Sequence, residues 1–208
     1  MSEIIRVKYE KKEEVKYVGH LDTMRTFTRC IKRTNIPVVY SKGFNPRIQI
    51  SFALPLGVGI TSECEYFDLT LEKKMNIDMF LSELNSTLPD GFRVIEAIYP
   101  ENKKSLMSLV KEAIYEIMIH DEIDYAKVEQ LFQQKEILIE KKTAKNVITK
   151  NIKEGILDFS IVNYVCIFHV TAGSSNNINP NTIIEAISKY VHEITDFEIC
   201  RKQLILEE

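Results

Sequence analysis

Two cations and an aromatic residue sit together in the segment SKGFNPR, residues 41–47. Lys42 and Arg47 bring positive charge to a stretch whose glycine, asparagine and proline predict a rigid turn between two strands. Backbone N–H groups in such turns bind phosphates or carboxylates, and Phe44 can stack on a nucleobase. The alternative is a connecting turn with Phe44 packed in the core.

Three arginines recur at every fourth position of a helix predicted from Gly19-His20 to about Arg33. They follow one helix face, where they can hold an RNA backbone or an acidic partner, unless that face is simply solvated. Another face is apolar and predicts core packing by Leu21, Met24, Phe27 and Ile31. The predicted anion-, RNA- or partner-binding set is Arg25, Arg29, Arg33, Tyr40, Ser41, Lys42, Gly43, Phe44, Asn45 and Arg47.

His20 and Asp22 lie at the start of this helix, where the helix dipole favours an anion and lowers the pKa of a histidine. His20 is therefore a weak candidate for a general base, and the alternative is a hydrogen bond that fixes the helix entry. Glu63 and Glu65 share one face of a strand and can pair with arginines across the sheet or serve as an acid/base pair. We add Ser51 to this supporting polar group, and no catalytic residue beyond His20 is predicted.

The charge of the chain is unevenly distributed. Residues 1–60 contain eleven Lys and Arg residues and five Asp and Glu residues, which gives a net charge of +6. The whole chain has a net charge of −3, so residues 61–208 carry −9. This asymmetry indicates that the amino-terminal part meets an anion, or else that it is a charged surface without a partner.

The composition excludes several classes of protein. Hydrophobic residues make up 45% and charged residues 27%, as in ordinary globular proteins. The start MSEIIRVKYEKK has no apolar signal region and no run is long enough for a membrane span, so we predict a cytoplasmic location. The four cysteines form no CxxC pair, and neither GxGxxG nor GxxxxGK[ST] occurs, so neither metal nor cofactor is predicted.

The predicted elements follow the order β-α-β-β-α-β, and this order occurs twice along the chain. We therefore predict an α+β fold of two tandem ferredoxin-like modules around a cleft: a basic module at 1–101, a linker at 102–112 and a second module at 113–208. The polar stretch at 143–155 predicts a mobile hairpin inside the second module.

The chain resembles the bacterial radical-SAM-linked protein family in HLDTMR (20–25), YSKGFNP (40–46), SECEYFD (62–68) and TAGSSNNINP (171–180). It departs from that family's pattern at Gly19 and Arg47. The resemblance implies an accessory domain that works with a radical SAM enzyme. The chain lacks the CxxxCxxC triad that holds the cluster of such an enzyme, so it cannot start radical chemistry itself.

Three hypotheses follow. The first is a non-catalytic accessory protein that binds RNA, or another anionic substrate or partner, for a radical SAM enzyme. The second is a metal-independent endoribonuclease resembling those that process CRISPR repeats, with His20, Tyr40 and Arg25 as the working groups, although the glycine-rich loop of those enzymes is missing. The third is a protein–protein adaptor that uses a sheet edge.

Overall fold

The computed structural model describes residues 2–102, 104–142, 147–173 and 177–207. The protein is a mixed α/β structure in which these residues form ten strands and five α-helices. The chain divides into two units, Met1–Val110 with Leu206–Glu208, and Lys111–Ile205. Residues 102–112, which we predicted to be a linker, contain a short helix and the beginning of a strand.

The first unit begins with a strand and alternates strands with helices. Its elements are β1 (Glu3–Lys11), a 3-10 turn (Glu13–Val15), α1 (His20–Ile31), β2 (Ile50–Phe52), β3 (Ile60–Leu71), α2 (Ile77–Asn85), β4 (Phe92–Ile98) and α3 (Leu106–Leu109). The strand order is β4-β1-β3, and β2 pairs with β3. All of these pairs are antiparallel.

Strand register decides which polar residues enter the interior of the first unit. Arg6 lies opposite Asp68, and Tyr9 lies opposite Glu65. The register shifts between Tyr9 and Lys11, so Lys11 lies opposite Ser62. Because side chains alternate along a strand, Tyr9 and Lys11 share the face of β1 that packs under α1.

An aromatic cluster forms the core between α1 and the sheet. The ring of Phe27 lies 4.7 Å from that of Tyr9, 5.2 Å from Phe67, 5.4 Å from Phe92 and 5.8 Å from Phe52, between ring centroids. All five side chains are buried. Edge-on and tilted contacts at these separations are the favoured arrangements of aromatic rings.

The buried face of α1 differs from the one predicted. Thr23, Phe27, Cys30 and Ile31 are buried, while Leu21 is 65% exposed. The prediction that Leu21 packs in the core was wrong because the apolar pattern alone could not recognise Thr23 as a core-facing residue. Thr23 is 4% exposed and lines a polar cavity, described below.

The alternation in RIQISFAL (47–54) predicts a strand with one buried face. Ile48, Phe52 and Leu54 are buried and Ile50 is half-buried, whereas Gln49 and Ser51 are exposed. The alternation ends at Ala53, which is also buried, and the regular strand is limited to Ile50–Phe52.

The apolar run IPVVY (36–40) predicts a further short strand. In the structure this run contributes isolated bridges, Val38 to Leu71 and Tyr40 to Ile48.

The second unit repeats the alternation of strands and helices. Its elements are β5 (Val110–Ile119), α4 (Tyr125–Gln133), β6 (Leu138–Lys142), β7 (Val147–Asn151), a 3-10 turn (Lys153–Gly155), β8 (Ile156–Val162), β9 (Val165–Thr171), α5 (Pro180–Tyr190) and β10 (Phe197–Leu206). The strand order is β10-β5-β9-β8. β6 and β7 form a separate antiparallel hairpin. The predicted polar excursion at 143–155 therefore includes β7, and its first four residues lie outside the described ranges.

A carboxylate after β5 anchors the segment that leads into β10. Asp121 accepts hydrogen bonds from the N–H groups of Thr195 and Asp196, at 2.8 and 2.9 Å, and from the Thr195 hydroxyl at 2.9 Å. These bonds lower the pKa of Asp121 below its ordinary value, and the bond from the N–H of Asp196 contributes most.

We expect Asp121→Ala to lower the free energy of unfolding at pH 7. A carboxyl whose pKa is depressed by folding stabilises the protein fully above its unfolded pKa, about 3.9, and loses that contribution as the pH falls through the folded pKa. The difference between wild type and variant should therefore shrink below about pH 4. Urea unfolding at pH 7 and pH 3 measures this, and an equal difference at both pH values would contradict it.

Candidate functional site

Residues 41–47 form an exposed loop that is closed at its base. The N–H of Ser41 donates to the carbonyl oxygen of Arg47 at 2.8 Å, and the N–H of Arg47 donates to the Ser41 hydroxyl at 3.0 Å. Gly43 has a φ of +126°, which explains the glycine at that position. The two closing bonds limit how far the tip can spread, so the loop presents its side chains on a constrained frame.

The side chain of Phe44 is fully exposed at the tip of this loop. The alternative that Phe44 packs in the core is therefore wrong. Lys42 and Arg47 are exposed on either side, and neither makes an ion pair with another residue in the described part of the chain. An unburied phenyl ring between two unpaired cations can stack on a flat ring and attract an anion at the same place.

Two of the three arginines that we predicted to form one helix face bind nearby groups of the protein. Arg25 donates to Asp22 at 2.8 Å, so Asp22 serves as its ion-pair partner. Arg33 follows the end of α1 and donates to the carbonyl oxygen of Thr87 at 2.8 Å. Arg29 is exposed. Among the described residues, no hydrogen bond or ion pair joins these arginines to the exposed loop.

A small polar cavity lies beside the amino-terminal end of α1. Its volume is about 10 Å³, which is room for about one water molecule. It is lined by Tyr9, Lys11, His20, Thr23, Phe52, Ala53, Leu54, Leu56, Glu65 and Tyr66. Two predicted residues, His20 and Glu65, are thus brought together although 45 positions separate them in the sequence.

Lys11 and Glu65 carry opposite charges into the interior, where they are 3% and 4% exposed. The Nζ of Lys11 donates to the carbonyl oxygens of Lys16 at 3.1 Å and Val18 at 2.8 Å. Lys11 thereby holds the segment that leads into α1, and it neutralises charge around a cavity that contains a carboxylate.

The pKa of His20 is lowered from its ordinary value. Burial is the main cause, Glu65 opposes it, and the positive charge of Lys11 adds to the lowering. We predicted a lowered pKa from the helix dipole, but the identified cause is burial beside a lysine. Burial thus favours the neutral form of His20, and its ring meets that of Phe52 edge-on, with 5.9 Å between the ring centroids. Burial also raises the pKa of Tyr66 to about 12.

Comparison with known sequences identifies the family. The model of a family described as "Uncharacterized protein conserved in bacteria (DUF2344)" matches residues 5–180, which is most of the chain. The chain belongs to this bacterial family. The match includes the exposed loop and every residue of the polar cavity. No curated protein matches this DUF2344 chain.

Solved structures resemble the DUF2344 chain only distantly. A chain from the "Crystal Structure of a Cbf5-Nop10-Gar1 Complex" aligns with a TM-score of 0.46 and 11% identity, over 98% of this chain and 50% of that one. This protein therefore spans half the length of that chain. An "Unknown Protein from Galdieria sulphuraria" aligns over the full length of both chains with a TM-score of 0.29 and 12% identity. Scores this low carry no assignment of fold or function.

The remaining predicted polar residues of the DUF2344 chain fall outside the cavity. Glu63 and Ser51 are exposed, in contrast to the buried Glu65. Arg6 pairs with a different β3 carboxylate, Asp68, and donates to both of its oxygens, at 2.8 and 2.9 Å. Sequence reasoning missed Lys11, although the alternation of Ile5, Val7 and Tyr9 along β1 places position 11 on the buried face.

Within the described ranges, no helix has the length and apolarity that a bilayer crossing requires.

Proposed function

We propose that this DUF2344 protein is a non-catalytic accessory protein that binds single-stranded RNA through the exposed loop. The observation that carries the proposal is the fully exposed Phe44 between Lys42 and Arg47. Unstacked bases of RNA are commonly bound on aromatic side chains, while nearby cations contact the phosphates. The net charge of +6 in residues 1–60 also supports the proposal, because it attracts the negatively charged RNA.

The partner in this proposal is a radical SAM enzyme to which the bound RNA is presented. Support for the partner comes only from the resemblance of the segments HLDTMR, YSKGFNP and TAGSSNNINP to radical-SAM-linked proteins. This chain supplies binding and positioning, and the partner supplies the reaction.

We also propose that each unit is a ferredoxin-like module. In the order β4-β1-β3, with β2 beside β3, the first strand of the unit lies between β3 and the last strand, β4. In the order β10-β5-β9-β8, the first strand lies between β9 and the last strand, β10. These orders support a split β-α-β fold if the β6–β7 hairpin is an insertion in the second unit.

The proposal predicts that Phe44→Ala weakens binding of a fluorescently labelled single-stranded RNA. Loss of one base stack costs about 1–3 kcal/mol, which is roughly 5- to 150-fold in dissociation constant. Because Phe44 is fully exposed, the stability of the variant should be unchanged. Tyr17→Ala is the matched control, since Tyr17 is a 73% exposed aromatic residue outside the loop. Fluorescence anisotropy measures both variants.

Salt dependence separates phosphate binding from other contacts in the same assay. Removing two phosphate contacts with Lys42→Ala/Arg47→Ala should reduce the slope of log affinity against log salt by about 1.4 for a single strand. Lys73→Ala/Lys135→Ala removes two exposed lysines elsewhere and should leave the slope unchanged. A flat salt response of the wild type, or equal slopes for both double variants, would refute RNA binding by the loop.

The same assay tests the endoribonuclease hypothesis, because cleavage of the RNA can be followed during the incubation. Cleavage by the wild type without metal, and none by His20→Ala, would assign catalysis to His20. Capture of an Fe–S enzyme that persists after nuclease treatment, together with no RNA binding, would favour a protein–protein adaptor.

A further inference from the structure

β8 is the end strand in the second unit, and among the described residues no strand pairs with its outer edge. Such an edge presents unpaired N–H and C=O groups, which can bond to a strand of another chain. Lysine and proline commonly protect such edges, and β8 contains neither. A register shift between Ile156 and Asp158 disturbs only the beginning of the strand, so residues 158–162 form a regular edge. We call this segment the β8 edge.

The hairpin that joins β8 to β9 decides which backbone groups of the β8 edge point outward. Its turn, residues 163–164, has φ values of +49° and +65°, as in two-residue hairpins of type I′. Val162 and Val165 lie opposite each other beside this turn, and such a flanking pair exchanges hydrogen bonds. Because bonded pairs alternate along an antiparallel ladder, the N–H and C=O groups of Phe159 and Ile161 point away from β9.

One of these outward N–H groups is already occupied. The N–H of Phe159 donates to Oδ1 of Asp158 at 2.9 Å, and Asp158 is exposed. The ring of Phe159 is held in place by Phe132 and Phe168, with 4.9 and 4.6 Å between ring centroids. An incoming strand must therefore displace the carboxylate of Asp158 before it can bond to this N–H.

The β8 edge is complementary to itself in one antiparallel register. A two-fold axis at Ser160 places Ser160 opposite its own copy and Phe159 opposite Ile161, an apolar pair that occurs twice. Asp158 then lies opposite Val162, so the two carboxylates do not face each other. The two Phe159–Ile161 pairs exchange four backbone hydrogen bonds, and the N–H of Phe159 donates two of them.

We propose that Asp158 prevents the β8 edge from pairing with the β8 edge of a second copy of this chain. Its carboxylate occupies the N–H donors of half of the four bonds that the self-complementary register requires. A second copy fits this edge because the register places apolar residues and serines opposite each other and uses only the regular part of the strand. The proposal does not depend on the exposed loop, which lies in the other unit.

Sedimentation velocity of the purified full chain, from about 10 μM to about 1 mM, tests the proposal. Asp158→Ala removes the acceptor, and we expect it to dimerise about tenfold more tightly than the wild type, because each copy loses a competing hydrogen bond. Asp158→Asn keeps an oxygen that can accept the N–H of Phe159, so it should sediment like the wild type. Glu129→Ala, which removes an exposed carboxylate of α4, is the matched control and should also sediment like the wild type.

Two further variants connect the dimer to the β8 edge. Ile161→Pro, added to Asp158→Ala, removes the other two donors and should restore the sedimentation of the wild type. Asp158→Val also lacks an acceptor and favours a strand, so it replaces Asp158→Ala if circular dichroism shows that the alanine variant misfolds. Association no tighter than that of the wild type in both Asp158→Ala and Asp158→Val would overturn the proposal. Equal dimerisation of Asp158→Asn and Asp158→Ala, or a dimer that persists with Ile161→Pro, would also overturn it.

Discussion

Replacing Lys11 by methionine should cost the first unit about 3–5 kcal/mol in free energy of unfolding. Methionine keeps an unbranched apolar chain but has no ammonium group. The carbonyl oxygens of Lys16 and Val18 then lose their donor, and Glu65 loses a positive charge that lines the same cavity. A carboxylate that is only 4% exposed pays a large desolvation cost, and the charge of Lys11 helps to offset it. Urea unfolding followed by circular dichroism measures the loss.

Lys12→Met is the matched control for Lys11→Met. Lys12 is the next residue along the chain, it is exposed, and it pairs with Glu10 at 3.3 Å, so its replacement should change stability by no more than about 0.5 kcal/mol. Lys11→Met should also raise the pKa of His20, because the charge of Lys11 lowers it. The His20 ring signal, followed by NMR against pH, reports this shift. Equal stability of the two variants, or an unchanged His20 titration, would contradict the structural role assigned to Lys11.

Replacing Asp68 by alanine should cost about 3–5 kcal/mol, because it leaves the Arg6 guanidinium buried without its partner. The side chains of Arg6 and Asp68 are 9% and 13% exposed, and two parallel hydrogen bonds join them across β1 and β3. A bidentate pair with so little solvent contact depends on both members. Thermal or urea unfolding of the single variant tests this directly.

Two further variants show whether the effect of Asp68→Ala comes from an unpaired charge. Arg6→Met/Asp68→Leu removes both charges and keeps apolar volume, so it should be less destabilising than Asp68→Ala alone. Arg25→Ala breaks the Arg25–Asp22 pair, whose side chains are 67% and 64% exposed, and should cost only about 0–1 kcal/mol. If the double variant were as unstable as the single one, packing rather than charge would explain the loss.

Local patterns predicted several elements of this protein correctly. The alternation in ECEYFDLTLE predicts a strand with Phe67, Leu69 and Leu71 on one face, and these three residues are buried. The spacing of apolar residues also predicts helices that begin at His20, after a cap at Asn76, and at Pro180 or Asn181. The structure has helices that begin at His20, Ile77 and Pro180, and Asn76 accepts the N–H of Met79 at 3.1 Å. These features depend on neighbours within a few residues, which is why the sequence contains enough information to predict them.

The same patterns failed where burial depends on distant partners. Leu21 fits an apolar helix face but is exposed, whereas Thr23 and Lys11 are polar and buried. Thr23 and Lys11 line the same cavity as Glu65. Glu65 lies 54 residues after Lys11 in the sequence, and the pairing of β3 with β1 brings the two together. A buried ion is tolerated only where its counter-charge and hydrogen-bond partners are in place, and no local pattern contains that information.

The exposed loop has one feature that local residues predict and one that depends on the tertiary structure. Gly43, Asn45 and Pro46 predict a turn from their own backbone preferences, and the turn is present. Whether Phe44 enters the core or faces solvent could not be decided from those residues, because both outcomes satisfy the same turn.

Residue types and short-range spacing were enough to predict most helices, several two-faced strands and the concentration of positive charge in residues 1–60. They did not predict α3 or the place of the β6–β7 hairpin. The exposure of Phe44, the shared cavity of Lys11, His20 and Glu65, and the pairing of Arg6 with Asp68 became known from the three-dimensional arrangement. Exposure and ion pairing depend on contacts between segments that are far apart in the chain, and local patterns do not contain those contacts.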